Sequence, residues 1–302
     1  MKRNAWMLAA ASLIAPKAFA LNILLSNDDG YQHPNIRALY TELKAQGHNV
    51  KIAAPQSDQS ARGGSFFFGR EVSVGHDSDP AYPDSYYIST TEKGVCQSAE
   101  CAGKEVQIEI SGTPVMALLM GLNKVLPHPD LVIVGPNPGN NLGAINMASG
   151  TFNAASVALQ SGIPALAVST DLKEQDPQRA AVLVAKLVQA LDQHRQPNGA
   201  LLPAGLGLNI NLPKDAHIEG VKLTRVGSYV GFAALYTDDL KQFNLPGKPG
   251  IGFQYSPAAT AAQQNDEAVW LNKGYLTISP FSGLPESISA GPALQKQLEV
   301  KP

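Results

Sequence analysis

Two adjacent carboxylates at the end of a short apolar run are the residues best suited to chemistry. The run is LNILLSNDDG, residues 21–30, in which Asp28 and Asp29 directly precede glycine. Neighbouring carboxylates repel each other unless a cation or a shared proton offsets their charge, and oxygen-rich sites suit hard divalent ions such as Mg²⁺ or Mn²⁺. Asn-Asp-Asp-Gly is also a typical turn sequence. The pair therefore suggests a metal site, with a plain turn as the alternative.

A second polar loop follows the predicted strand 50–54. Its sequence is PQSDQSARGGS, in which Ser60 offers a hydroxyl and Arg62 a positive charge. Gly63 and Gly64 leave the backbone free to approach an anion closely. Taken alone, the segment also fits an ordinary surface loop.

A third polar loop, GPNPGNNLG, follows the predicted strand 131–134. Its asparagines include Asn137 and Asn141, whose amide oxygens can bind a hard metal and whose amide nitrogens can donate to phosphate. Shortly afterwards SGT, residues 149–151, stands at a predicted helix start, where free N–H groups and the helix dipole favour an anion. Ser149 is equally suited to a simple N-cap.

The three loops follow strands that alternate with helices, so the elements must bring them together. Helices are predicted at 34–46, 114–122, 151–160 and 177–194, and strands at 21–26, 50–54, 131–134, 165–169 and 275–279. This alternation predicts an α/β fold with a Rossmann-like, doubly wound, mostly parallel sheet. Ligands bind at the carboxyl ends of such strands. Carboxylates, hydroxyls, amides and a helix N-terminus around one pocket would suit metal-assisted hydrolysis of a phosphate ester.

The chain divides into three predicted regions. Residues 1–20 have a basic start, a short apolar stretch and a small-x-small end, which predicts a cleaved signal peptide and a periplasmic location, with a membrane anchor as the alternative. Residues 21–226 form the predicted core, in which 66–104 breaks the alternation and is interpreted as an insertion. Residues 227–302 form a predicted C-terminal extension for oligomerisation.

Composition and cysteine usage narrow the class of protein. A formal charge of −2 and a charged fraction of 16% lack the basic excess of a protein that binds nucleic-acid polymers. The two cysteines, Cys96 and Cys101, are expected to form a local disulfide if the chain is exported. Free thiols are the alternative.

The order of these motifs resembles the SurE survival-protein nucleotidases. The resemblance rests on SNDDG at 26–30, AP followed by Ser60, GTP at 112–114, N-x-G-x-N at 137–141, SGT at 149–151 and GIPALAVS at 162–169. It continues weakly through LNINLP at 208–213 and LTRVG at 223–227. It covers most of the chain after residue 20.

The resemblance implies a divalent-metal-dependent phosphatase of nucleoside 5′- and 3′-monophosphates that forms homodimers or homotetramers. Asp28 and Asp29 would be catalytic, and Ser60 and Asn137 would complete the metal site. The implied phosphate or substrate contacts are Asn141, Ser149, Gly150 and Thr151. Asn27, next to the acidic pair, and Gly63, in the second loop, are further candidates from their positions in the sequence. One Mg²⁺ or Mn²⁺ per subunit and a small nucleotide substrate are the implied partners. The predicted cleavage of the signal peptide leaves no stable membrane anchor.

Some features depart from the family's pattern. Val134-Gly135-Pro136 replaces the usual Ser-Gly before Asn137, and the cysteine-bearing segment is atypical, which leaves substrate preference open. A haloacid-dehalogenase-like phosphatase needs two aspartates separated by one residue, whereas Asp28 and Asp29 are adjacent. A dinucleotide-dependent enzyme needs G-x-G-x-x-G at the first turn, where this chain has SNDDGY. Two alternatives stay open: an exported metal- or nucleotide-binding protein without turnover, and a phosphatase for another phosphomonoester.

Overall fold

The computed structural model describes residues 20–96, 100–214 and 217–283, and within them the chain forms twelve strands and five α-helices. The strands are β1 Asn22–Ser26, β2 Asn49–Pro55, β3 Val72–His76, β4 Ser85–Val95, β5 Glu105–Ser111, β6 Leu131–Pro138, β7 Ala165–Thr170, β8 Leu206–Asn211, β9 Gly220–Leu223, β10 Phe232–Thr237, β11 Gly250–Tyr255 and β12 Tyr275–Ser282. The helices are α1 Pro34–Ala45, α2 Pro114–Met120, α3 Gly150–Gln160, α4 Pro177–Gln193 and α5 Glu267–Leu271. Apart from Ala20, the predicted signal peptide lies outside the described residues.

Ten of these strands form one sheet. Their order is β3-β4-β2-β1-β6-β7-β8-β12-β9, with β5 beside β4. The five pairs from β4 to β8 are all parallel, whereas β3, β5 and β12 add antiparallel pairs. The predicted mostly parallel α/β sheet is therefore confirmed.

Helices cover both faces of this sheet, and alternate residues of β1 supply both cores. Leu25 packs with α1 and α4 on one face, and Leu24 packs with α2 and α3 on the other. Both side chains are fully buried. Successive side chains of a strand point to opposite faces of the sheet. A strand covered on both faces is therefore apolar throughout, as the apolar run predicted. No helix among the described residues has the length and apolar character needed to cross a membrane.

The helix beginning at Pro34 shows how local sequence sets these elements. Proline suits the first helical position because a backbone N–H at that position would have no acceptor within the helix, so its absence costs nothing. The apolar face of α1 buries Ile36, Leu39 and Leu43, and the chain leaves the helix through Gly47 at φ 89°. A positive φ of this kind is easily adopted by glycine.

The region 66–104 contains β3 and β4, which pair antiparallel with each other, and β4 also extends the main sheet. The first residues of β4 pair in parallel with β2, from Ser85 beside Ile52 to Ile88 beside Pro55. Its later residues pair with β5 instead. Cys96 and Cys101 form a disulfide between these two strands, so the expected local pairing is confirmed.

The C-terminal part returns to the main sheet after a separate hairpin. Strands β10 and β11 pair only with each other among the described residues, and both expose large side chains such as Tyr236 and Ile251. Strand β12 then pairs with β8 and β9. The sequence predicted this strand at 275–279. It did not predict α5, whose five residues are too few to show a helical period.

A buried carboxylate on α5 joins this C-terminal part to the third polar loop. Glu267 is fully buried; its Oε1 accepts from the backbone N–H of Gly143 at 3.0 Å, and both carboxylate oxygens accept from Nδ2 of Asn209, at 3.1 and 3.0 Å. Asn209 Nδ2 also donates to the carbonyl of Asn141 at 2.9 Å. Burial raises the pKa of Glu267 to about 7, although hydrogen bonds to its carboxylate oppose the rise.

The stability of the protein should therefore decrease as the pH rises through the titration of Glu267. The pKa of Glu267 in the folded state, about 7, lies above its ordinary value of 4.5. Between these two pH values the folded state keeps a proton that the unfolded state has lost. Relative to Glu267→Gln, the unfolding free energy of the native chain should fall by at most about 1.4 kcal/mol per pH unit there. Denaturant unfolding from pH 4.5 to 8 measures this difference.

A matched control is Glu71→Gln, which changes an exposed glutamate. This variant should keep the native pH dependence. Native and Glu267→Gln curves that run parallel throughout the window would contradict the assignment.

Candidate functional site

The three polar loops leave the sheet at the same edge, as the sequence predicted. They follow β1, β2 and β6, which are parallel neighbours with β1 in the middle. The chain runs from β1 to β2 on one side and later to β6 on the other, so the loops flank a topological switch point. Ligands bind at such points in open α/β sheets.

Asp28 is held at the N-terminus of α3. Its side chain is 3% exposed, and the hydroxyl of Thr151 donates to Oδ1 at 2.7 Å. A Cβ on Gly150 would lie 2.7 Å from Cβ of Asp28 and 2.7 Å from Cγ of Pro114. Only glycine therefore leaves room for this helix end to reach the carboxylate.

Burial and hydrogen bonding have opposite effects on the pKa of Asp28. Burial raises the pKa of Asp28 above its ordinary value of 3.8, and the negative charge of Asp58 adds to the rise. Hydrogen bonds from the Thr151 hydroxyl and from backbone N–H groups lower it. The helix terminus thus stabilises the ionised form of a group that burial would neutralise.

Asp29 has a buried oxygen without a partner. Its Oδ2 accepts no hydrogen bond from the described residues. Burial raises the pKa of Asp29 to about 8, with smaller contributions from the charges of Asp28 and Asp58. A nearby cation would lower this pKa and supply the missing partner for Oδ2.

The second loop is fastened to the backbone of Asp28. The N–H of Gln59 donates to the Asp28 carbonyl at 2.6 Å, which holds the neighbouring Ser60 beside the acidic loop. The Ser60 hydroxyl donates to Oδ1 of Asp58 at 2.6 Å. Because its proton is directed at Asp58, the oxygen of Ser60 keeps lone pairs for a cation.

Gly63 connects the second loop to the segment before α3. Its N–H donates to the carbonyl of Ala148 at 3.0 Å, and its φ is 55°. A Cβ there would lie 2.7 Å from the carbonyl oxygen of Met147. Gly63 is therefore a close-packing residue whose N–H is already used within the chain.

Asn137 lies at the end of β6 beside a cis peptide bond between Gly135 and Pro136. Its Nδ2 donates to the carbonyl of Gly139 at 2.6 Å, so the amide nitrogen has a partner. Its Oδ1 accepts no hydrogen bond from the described residues, and an amide oxygen of this kind is a ligand for hard cations. Asn35 on α1 supports the loop by donating to the Pro136 carbonyl at 2.9 Å.

Three other predicted substrate contacts have internal hydrogen bonds. Asn27 exchanges two of them with Gly30, because its Nδ2 donates to the Gly30 carbonyl and its Oδ1 accepts from the Gly30 N–H. Asn141 donates from Nδ2 to the Ser169 hydroxyl at 2.9 Å. Ser149 is the N-cap of α3, since its hydroxyl accepts from the N–H of Phe152 at 3.0 Å. These side chains shape the loops around the acidic pair.

Several supporting residues were not singled out by the sequence. Asn209 and Asn211 are fully buried on one face of β8, and both donate to the carbonyl of Asn141. Asn211 Oδ1 also accepts from the Asn141 N–H at 3.0 Å. The signal for them is the alternation of polar residues within the otherwise apolar LGLNIN. Asp58 was missed because only its neighbours offered a recognisable pattern.

The donor set at this edge fits a divalent cation. Among the described residues there is no group of three or more His, Cys, Asp or Glu side chains placed to hold a metal. A cation here would instead be held by two carboxylates together with hydroxyl and amide oxygens, which suits Mg²⁺ or Mn²⁺ better than zinc. The unpartnered Oδ2 of Asp29 agrees with that fit.

Comparison with known proteins assigns the family. The family model described as "Survival protein SurE" matches residues 23–230. The 5′/3′-nucleotidase SurE of Photorhabdus laumondii is 31% identical over 267 residues, covering 86% of this chain and 89% of that protein. The 5′-nucleotidase SurE of Lawsonia intracellularis is 32% identical over 266 residues, covering 86% and 92%.

A solved structure agrees with the fold. The crystal structure of the SurE protein from Aquifex aeolicus has a TM-score of 0.66 and 24% identity, and the match covers 92% of this chain and 98% of that one. Both curated relatives carry the name of a phosphomonoester hydrolase. The chain described here therefore belongs to the SurE family, a family of phosphomonoester hydrolases.

Proposed function

We propose that this protein is a divalent-metal-dependent phosphatase that hydrolyses nucleoside 5′- and 3′-monophosphates. The observation that carries the proposal is the contact between Asp28 and the start of α3, where Gly150 and Thr151 bring a helix N-terminus to a buried carboxylate. This arrangement puts a cation-binding group beside an anion-binding one. A phosphate ester with a bound cation requires both.

The residues that would hold the cation are Asp28, Asp29, Ser60 and Asn137. When bound, a divalent cation supplies Lewis acidity to a phosphate oxygen and to the attacking water. Asp28 is the carboxylate nearest the proposed chemistry, since Thr151 fixes its orientation. Both Mg²⁺ and Mn²⁺ favour oxygen ligands of this kind.

The phosphate is proposed to lie at the N-terminus of α3. The dipole of α3 favours a dianion there, while the N–H groups of Thr151 and Phe152 already donate to Asp28 and Ser149. Ser149 caps the helix and Thr151 orients Asp28, so the first turn is fixed before substrate arrives. Preorganised donors stabilise the charge that develops on phosphate oxygens in the transition state without further rearrangement.

We also propose that the protein acts in the periplasm. The support is the signal-like sequence of residues 1–20 together with the Cys96–Cys101 disulfide, because disulfides persist in oxidising compartments. The two observations are independent of each other.

Expression of the full chain in a bacterium with a periplasm should yield a mature protein that begins at Leu21. Cleavage after the Ala18-Phe19-Ala20 motif is the physical basis for this expectation. Intact-mass spectrometry of the periplasmic fraction measures it. An uncleaved chain that fractionates with membranes would contradict the proposal and favour an anchor.

Asp28→Asn should lower the rate of phosphate release from nucleoside monophosphates by at least about 100-fold while the protein stays folded. The amide keeps the shape of the carboxylate but removes the charge that a cation requires. Phosphate release would be measured with added Mn²⁺ or Mg²⁺, with chelator, and after the metal is restored. The native enzyme should lose activity with chelator and recover it with metal.

Asp238→Asn serves as the control, because it removes an exposed carboxylate in the described part of the chain between β10 and β11. Full activity of Asp28→Asn would contradict the site assignment. If the native chain binds nucleotide but releases no phosphate with either metal, the binding-protein alternative is favoured.

Gly150→Ala should reduce turnover by roughly 10- to 100-fold, because the new methyl group would displace Asp28 or the start of α3. The expected contact of 2.7 Å with Cβ of Asp28 is too short to be accommodated without movement. Steady-state kinetics measure the loss, and circular dichroism checks the fold. Gly162→Ala is the control, since nothing lies within 4 Å of a Cβ at that position. The φ of 79° is unfavourable for alanine, so this variant should lose a little stability but keep its activity.

A further inference from the structure

A cavity of about 370 Å³ lies beside the acidic loops, between the second loop and the β4–β5 hairpin. Gln59 forms part of its wall, and its N–H donates to the Asp28 carbonyl at 2.6 Å. Thr113 forms another part and precedes Pro114, which packs against Gly150. The cavity therefore adjoins both the proposed metal site and the start of α3.

An aromatic ring forms part of the cavity wall. Phe67 is 36% exposed, and the guanidinium of Arg70 lies 4.2 Å from its ring centre. Arg70 also approaches Glu92 at 4.0 Å, which helps to hold the guanidinium in place. With one face covered by Arg70, the ring has its remaining surface available to the cavity. Such a surface is suited to stacking on a flat heterocycle.

Polar groups surround this ring. Arg62 lines the cavity, and its guanidinium forms no hydrogen bond or ion pair with the described residues. Glu109 and Gln56 also line it. Together they offer donors and acceptors to the edge of a base and to sugar hydroxyls.

The neighbouring aromatics provide an internal comparison. Phe68 is 90% exposed and packs edge-to-face on Phe66, with ring centres 5.0 Å apart. Neither ring lines the cavity, whereas Phe67 does. The carbonyl of Ser65 accepts from the Thr113 hydroxyl at 2.6 Å, which fixes the start of this triplet beside the cavity.

We propose that this cavity binds the nucleoside part of a nucleoside monophosphate, with the base stacked on Phe67 and polar contacts from Arg62. The proposal rests on the proposed function, because it places the phosphate at Asp28 and the start of α3. The wall formed by Gln59 and Thr113 adjoins that position, so the ester group of such a phosphate would reach the cavity there. The stacked base would be recognised mainly as an aromatic surface, so the cavity accepts more than one base.

Phe67→Ala should lower kcat/KM for 5′-AMP by about 5- to 100-fold, the range expected for losing one base–aromatic stack. The same variant should leave kcat/KM for ribose 5-phosphate unchanged, since this substrate has no base. Phe68→Ala, the matched control, should affect neither substrate. Phe67→Trp should retain the activity on 5′-AMP. An equal loss on both substrates would indicate a structural role and overturn the proposal.

Adenosine binding by calorimetry gives a readout that needs no turnover. The native chain and Phe68→Ala should bind adenosine alike, and Phe67→Ala should bind it more weakly by a similar factor. If the native chain releases no phosphate but shows this binding pattern, the nucleoside site stands and the phosphatase proposal fails. Equal adenosine binding by all three proteins, or none by the native chain, would overturn the nucleoside site.

Discussion

The close approach of α3 to Asp28 is the constraint on which the site depends. A buried carboxylate is unfavourable unless it is paired, and here the hydroxyl of Thr151 and the helix N-terminus supply the first partners. Gly150 makes this possible because any side chain would overlap Asp28 or Pro114. The same contact sets where the proposed cation and phosphate would lie relative to each other. Asp29, whose Oδ2 has no partner in the described chain, is then available to the proposed cation.

A second constraint lies beneath the third loop. Asn209 and Asn211 on β8 bind both backbone groups of Asn141, and Glu267 binds Gly143 together with Asn209. Buried polar groups stabilise a structure only when they are satisfied, so these residues allow few alternative loop conformations. The network also makes the loop depend on α5, which is distant in sequence. The C-terminal part therefore contributes to the site without contacting the acidic pair directly.

The parts predictable from sequence are those encoded within single elements. The apolar run before Asp28 and the proline and apolar face of α1 identified the strand, the helix and the shared edge of the sheet, because each signal lies within a few residues. The resemblance to a family was needed to select Ser60, which local chemistry alone left in an ordinary surface loop, whereas the amide of Asn137 was already a candidate ligand. The link between Gly150 and Asp28 spans more than a hundred residues, and no local pattern encodes it. The partners of Asn141 were missed for the same reason.

The burial of each side chain indicates which part of the substrate it can contact. Asp28, Thr151 and Asn141 are buried and hydrogen-bonded, so they present a fixed arrangement to a phosphate, which is the same in every phosphomonoester. Discrimination among such esters must come from groups that meet the rest of the molecule. Phe67 and Arg62 lie on the exposed side of the cavity wall and take no part in the buried network. Substitutions there can alter the preferred leaving group while the geometry at Asp28 is retained, because the two sets share no hydrogen bond among the described residues.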